Sequence, residues 1–222
     1  MSRPPALFCI GRNYAAHAAE MQSPPPERPV VFMKNPASII GPHDDITIPA
    51  ICHEHGPQVD YEGELAAIIG RDCRDVDEAD ALDCVSGYCV ANDVTARWWQ
   101  KEGSGGQWIR GKSFDTFCPL SAAVPASSVP NPQALTLETR LGGTLRQQGN
   151  TADMIFPVAT LIAELSRGMT LLNGSVILTG TPPGVGAGRT PPCFLRDGDV
   201  VEIVIEGVGM LRNPVRDPYA ST

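Results

Sequence analysis

The sequence predicts a mostly β protein with a few short helices, and three observations carry that expectation. The 22 glycines and 21 prolines are spread over 222 residues and punctuate many short apolar runs, the pattern of strands joined by irregular connections. Residues 135–141, Gly142-Gly143 and 144–148 read as a β-hairpin, because two glycines supply the positive φ that a tight turn demands. The apolar runs also follow one another without regular helical crossovers, which disfavours a doubly wound parallel sheet.

The first expected strand, 7–11, is followed by a short helix in an alanine-rich stretch that contains His17 and Glu20. Strand 30–34 resumes after the proline-rich patch 24–29. Strand 61–70 is apolar apart from two glutamates, and 76–84 reads as a helix before strand 87–93. After the hairpin comes the clearest helix, about 154–166, where Ile155, Val158, Leu161, Ile162 and Leu165 recur at helical spacing. Gly168 offers its stop, and Pro157 fits only its first turn. Strands 175–179 and 200–206 complete the pattern. The proline-rich patches 24–29 and 125–132 are flanked directly by apolar strands, so they read as loops, and the chain is expected to form one catalytic domain over 1–222.

Composition narrows the function. With 42% hydrophobic and 19% charged residues the chain has enough apolar material for a packed core. A formal net charge of -8 argues against a basic groove for nucleic acid. No apolar run reaches the roughly 18 residues that a membrane span needs, and residues 1–12 lack a basic segment followed by a cleavable apolar stretch. The expected setting is the cytoplasm or an organelle matrix, with neither nucleic acid nor membrane as partner. Seven cysteines without a Cys-x-x-Cys pair fit scattered thiols in a reducing compartment.

Chemistry concentrates in a few segments. In Asp60-Tyr61-Glu62-Gly63-Glu64-Leu65, alternation along a strand puts Glu62 and Glu64 on one face with Cα atoms about 6.7 Å apart. Such a pair is either solvated or neutralised by a hard dication or cationic partner. Asp93 ends an apolar strand and looks set to open a helix, where it serves as an N-cap or as a third oxygen ligand. Arg97 and Gln100, four and seven residues on, would then share a helix face and could grip a carboxylate, with Lys112 nearby. His17 and Glu20 at i, i+3 could pair, the carboxylate fixing the imidazole tautomer, or simply form a surface hydrogen bond. The segment 178–186 is glycine-rich but lacks the Lys-Ser/Thr ending of a P-loop; Thr181 could face a ligand carboxylate. His53-Glu54-His55 reads as an exposed loop.

The order of these motifs resembles the fumarylacetoacetate hydrolase family. Gly11-Arg12-Asn13-Tyr14 with His17 and Glu20 comes first, then Asp60 to Leu65, Asn92-Asp93-Val94-Thr95-Ala96-Arg97, Gly111-Lys112-Ser113-Phe114-Asp115 and Thr179-Gly180-Thr181-Pro182. The likeness is greatest to the short, single-domain members, which include acylpyruvate and fumarylpyruvate hydrolases, oxaloacetate decarboxylases and hydroxyheptadienedioate isomerases. It implies a mixed β-roll, the fold of that family's C-terminal domain, in a homodimer. It implies Mg2+ or Mn2+ on Glu62, Glu64 and Asp93, and His17, Glu20 and Lys112 as catalytic groups. A 2-oxo acid substrate would be held by Arg97, Gln100 and Thr181. The separate N-terminal domain and extra metal-binding aspartate of the large eukaryotic fumarylacetoacetases have no obvious counterpart here. The expected reaction is hydrolysis of an acylpyruvate; decarboxylation of oxaloacetate, isomerisation and ligand binding without turnover are the alternatives.

Overall fold

The computed structural model describes residues 3–220. Two large sheets dominate it. The six-stranded sheet runs in the order Val124–Pro125, Val85–Asn92, Gly63–Ile69, Val176–Leu178, Leu7–Gly11, Val30–Met33. All its pairings are antiparallel except that of Leu7–Gly11 with Val176–Leu178. The five-stranded sheet runs Thr144–Asn150, Thr136–Leu141, Val200–Ile205, Gly209–Arg216, Ile46–Thr47. Among the described residues no helix is long and apolar enough to cross a membrane.

Alternation along Gly63–Ile69 explains how the sheets stack. Leu65, Ala67 and Ile69 enter the main core, where they join Tyr88 and Val90 of the next strand and Leu137, Ile203 and Leu211 of the second sheet. Ala66, one residue out of phase, joins a smaller apolar cluster on the opposite face with Leu7, Cys9, Cys89, Ala91 and Leu178. Glu64 shares the phase of Ala66, so its buried carboxylate lies on that face of the sheet.

The hairpin forms with Gly142 and Gly143 at φ 56° and 79°. Several expected boundaries shift for identifiable reasons. The 154–166 helix is Val158–Ser166, with Pro157 as its cap, because the preceding backbone is used elsewhere: Ile155 N–H donates to Asn13 O and Phe156 N–H to Asn13 Oδ1. The 76–84 helix is a 3-10 segment, Glu78–Cys84. Tyr61 and Glu62 fall in the break between Val59–Asp60 and Gly63–Ile69. Strand Gly209–Arg216, absent from the sequence expectation, contains Pro214 and a buried Asn213 whose amide donates to Gly41 O and Asp44 O, which breaks the apolar alternation.

Candidate active site

At the end of the six-stranded sheet, Asn92 pairs with Gly63, and Asp93 N–H donates to Glu62 O at 2.8 Å. This register brings Glu62, Glu64 and Asp93 together, all buried, with one oxygen of each within 4.8 Å of the others. Asp93 does not open a helix, as the sequence suggested. The short strand Thr95–Ala96 follows it, pairing with Val59–Asp60, and the helix Arg97–Gln100 starts only at Arg97. The helical offsets from Asp93 to Arg97 and Gln100 therefore do not apply, although all three residues are buried at the site.

Buried cations interleave the carboxylates. Lys112 Nζ donates to Glu62 Oε2 at 2.7 Å and to Asp93 Oδ2 at 2.6 Å. Lys34, which sequence reasoning missed, is 1% exposed and donates to Asp93 Oδ1 at 2.6 Å and Val94 O at 3.1 Å. Arg97 Nη1 lies 2.7 Å from Glu62 Oε1 and donates to Gln100 Oε1 at 3.2 Å, while Nε and Nη2 donate to Asp60 Oδ2. Burial alone would raise the Glu62 carboxyl, but Lys112 and Arg97 overcome it and hold the group down at about 2. Glu64 has no such partner: burial first, then the Asp93 and Glu62 charges, push its carboxyl well above the usual range. Burial opposes the charge on Lys112, yet Asp93 and Glu62 raise its pKa.

Glu20 and His17 come from the helix Ala15–Glu20. His17 Nδ1 lies 3.2 Å from Glu20 Oε2, leaving Nε2 free, and His17 is 5% exposed. The glycine-rich loop after Val176–Leu178 acts as a row of backbone donors for protein carboxylates. Gly180 N–H reaches Glu64 at 2.8 Å, Gly184 N–H reaches Glu20 at 2.9 Å, and Gly186 and Ala187 N–H reach Asp60 at 2.7 and 2.9 Å. Gly180 (φ 102°) and Gly184 (φ 108°) need their glycines twice over, since a Cβ would also strike Asn13 or the Arg146 carbonyl. Thr181 faces the cavity, but its hydroxyl donates to Gly63 O at 2.9 Å and accepts from Gln147 at 2.7 Å. A substrate oxygen would receive that proton only by exchanging the Gly63 bond.

These groups meet in one cavity of about 150 Å³, lined by His17, Glu62, Glu64, Arg97, Gln100, Lys112 and Thr181. Arg12, Met21, Phe32 and Trp108 also line it and carried no signal beyond the motif that contains Arg12. The arrangement can anchor an anion, hold a hard cation and move a proton through His17.

Comparison with known proteins fits this geometry. A family model described as "Fumarylacetoacetate (FAA) hydrolase C-terminal" matches residues 6–216. The chain is 46% identical over 216 residues to a Xenopus laevis protein named "Oxaloacetate tautomerase fahd2, mitochondrial", covering 97% of this chain and 66% of that one. It thus spans about two thirds of that relative's length. A structure of 5-carboxymethyl-2-hydroxymuconate delta-isomerase from Mycobacterium smegmatis matches with TM-score 0.85 and 42% identity, over 98% of this chain and 81% of that chain. The structure of fumarylpyruvate hydrolase from Pseudomonas aeruginosa in complex with Mn2+ and pyruvate matches with TM-score 0.86 and 32% identity, over 96% and 89%.

Proposed function

Because this chain belongs to the fumarylacetoacetate hydrolase family, whose named members here include a hydrolase, an isomerase and a tautomerase, we propose that it hydrolyses an acylpyruvate-type 2,4-dioxo acid to pyruvate and a carboxylic acid. The observation that carries this reading is the convergence of three buried carboxylates, Glu62, Glu64 and Asp93, of which the two glutamates line the same cavity as the His17 imidazole that Glu20 holds.

The donor set supports a hard dication. Glu62, Glu64 and Asp93 offer only oxygen, which suits Mg2+ or Mn2+ over softer metals, and Glu64 has no cation of its own to offset its burial. When bound, the ion supplies positive charge for the substrate's carboxylate and for the enolate that develops at its 2-oxo group. Gln100, whose Oε1 accepts from Arg97, keeps its amide N–H groups for a substrate oxygen. Arg97 fixes Glu62 and Gln100 and adds to the positive field. His17, its tautomer set by Glu20, takes a proton from water through Nε2 as that water attacks the distal carbonyl carbon. The carbon-carbon bond to the methylene then breaks, the electron pair enters the pyruvate enolate, Lys112 stabilises its charge, and a proton returns to the methylene carbon.

A second reading is favoured by the cavity volume. About 150 Å³ is small beside the roughly 300–1,000 Å³ of drug-sized sites, and suits a four-carbon 2-oxo diacid on which His17 would move a proton or from which carbon dioxide would leave. The experiment is turnover on a panel of acylpyruvates and oxaloacetate, following pyruvate release and loss of the enol absorbance. Activity should require Mn2+ or Mg2+ and vanish in EDTA. Turnover that survives complete metal removal, or none on any 2-oxo acid, refutes the proposal.

A further inference from the structure

Of the two guanidinium groups that line the cavity, only Arg97 has an ion-pair partner among the described residues. Arg97 and Lys112 are committed to Asp60, Glu62 and Asp93. Arg12 lines the same space, yet its Nε is buried without a hydrogen-bond partner, and no carboxylate among the described residues forms an ion pair with it. A buried guanidinium nitrogen left unmatched is costly, so an acceptor supplied from outside the protein is the natural complement. The backbone also holds Arg12 at φ 56°, a left-handed conformation that disfavours any side chain with a Cβ.

A run of aromatic contacts leads from Lys112 to this group. Lys112 Nζ lies 5.0 Å from the Phe32 ring centroid, Phe32 and Trp108 are 5.3 Å apart, and Arg12 Cζ lies 5.9 Å from the Trp108 ring. Trp108 is seated against Gly11, where a Cβ would overlap its ring, so the wall and the Arg12 backbone are locked together. The cavity thus carries Glu62, Glu64, Lys112 and His17 around the acidic centre and the Arg12 guanidinium against the Trp108 side of its wall. Lys101 also borders it but is exposed, a flexible point charge without a fork geometry.

Resting on the 2-oxo acid reading above, we infer that Arg12 is a specificity determinant that grips a second carboxylate, at the end of the substrate remote from its 2-oxo acid group. A planar fork matches a carboxylate bidentately and discriminates it from a methyl terminus.

The test compares two ligands of equal chain length, 2-oxoglutarate and 2-oxopentanoate, by titration calorimetry at fixed saturating Mn2+. The wild-type protein should bind the diacid about 10- to 100-fold more tightly, the range of a charged hydrogen bond. In Arg12→Met, which keeps the stem over Trp108, the ratio should fall to within about threefold of one. Arg12→Lys should retain an intermediate preference and decides the matter if Arg12→Met melts early. A wild-type protein that does not discriminate, or variants that keep the full ratio, overturn the inference. Turnover of acylpyruvates is scored separately: diacid preference without turnover sinks the hydrolase reading alone, and turnover without preference sinks the Arg12 assignment alone.

Discussion

Replacing Asp60 with alanine should destabilise the protein and disable the site together. Asp60 is fully buried and accepts five hydrogen bonds: Tyr61 N–H and Gly186 N–H at Oδ1, and Ala187 N–H with Arg97 Nε and Nη2 at Oδ2, at 2.7 to 2.9 Å. Its removal leaves Arg97 to Glu62 and Gln100 and strips the loop of the acceptor that closes it. Breaking a buried ion pair from one side costs about 3–5 kcal/mol. Each orphaned N–H adds up to ~1–3 kcal/mol, reduced where water fills the space. The expected loss is therefore at least about 3 kcal/mol in urea unfolding, or a fall in melting temperature of roughly 6–20 °C. Turnover should fall too, because the same loop presents Gly180 to Glu64 and Gly184 to Glu20. A loss under about 1 kcal/mol with normal activity, or full additivity of Asp60→Ala with Arg97→Ala, would refute the view that Asp60 orders the site.

His17→Ala should lower acylpyruvate hydrolysis about 10²- to 10⁴-fold while sparing oxaloacetate decarboxylation, which needs no water nucleophile; steady-state kinetics on both substrates checks it. A thiol-directed alkylating reagent at pH 8 should label one cysteine rapidly, Cys193, since the other six are buried and burial pushes Cys52, Cys89 and Cys118 up to about 12; mass spectrometry of the native protein counts the adducts. The Gly168 N–H, 2.6 Å away, and Arg74 hold Asp75 below the usual carboxylate range. A depressed folded value gives stability that is present above the unfolded pKa and lost as pH falls. Asp75→Asn should therefore melt below the wild type at pH 7, and the two curves should converge once the pH falls below the carboxyl's lowered folded-state value.

Side-chain spacing made the acidic centre readable in advance, and long-range register completed it. Glu62 and Glu64 sit two residues apart, and although Glu62 lies just outside strand Gly63–Ile69, the two carboxylates converge as the spacing suggests. Asp93 reaches them only because Asn92 pairs with Gly63 across neighbouring strands. The helix expected at Asp93 failed because Thr95–Ala96 pairs with Val59–Asp60 and keeps the backbone extended to Arg97. Lys34, and the role of Asp60 within its motif, are not legible in the sequence for a related reason. Each looks like a polar residue at the edge of an apolar run, and its partner lies 59 or 37 positions away. The glycine-rich loop is legible in the sequence, which offers Thr181 to a ligand carboxylate, but the use of its backbone N–H groups to hold Glu64, Glu20 and Asp60 depends on long-range contacts.

The buried charges also decide what Lys112 does to a metal. Asp60, Glu62, Glu64 and Asp93 face three cations, Arg97, Lys112 and Lys34, and the unmatched carboxylate is Glu64. Lys112 Nζ bonds Glu62 Oε2 and Asp93 Oδ2, on two of the three carboxylates that would hold a dication. Two like charges about 4 Å apart repel by roughly 4 kcal/mol at an effective dielectric of 20. Lys112→Met should therefore bind Mn2+ more tightly, by at least about tenfold, even as turnover collapses for want of a charge beside the enolate. Titration calorimetry measures the first effect and kinetics the second. Weaker Mn2+ binding in that variant would mean that Lys112 assembles the carboxylates instead of competing for them, and the proposed division of labour between lysine and metal would fail.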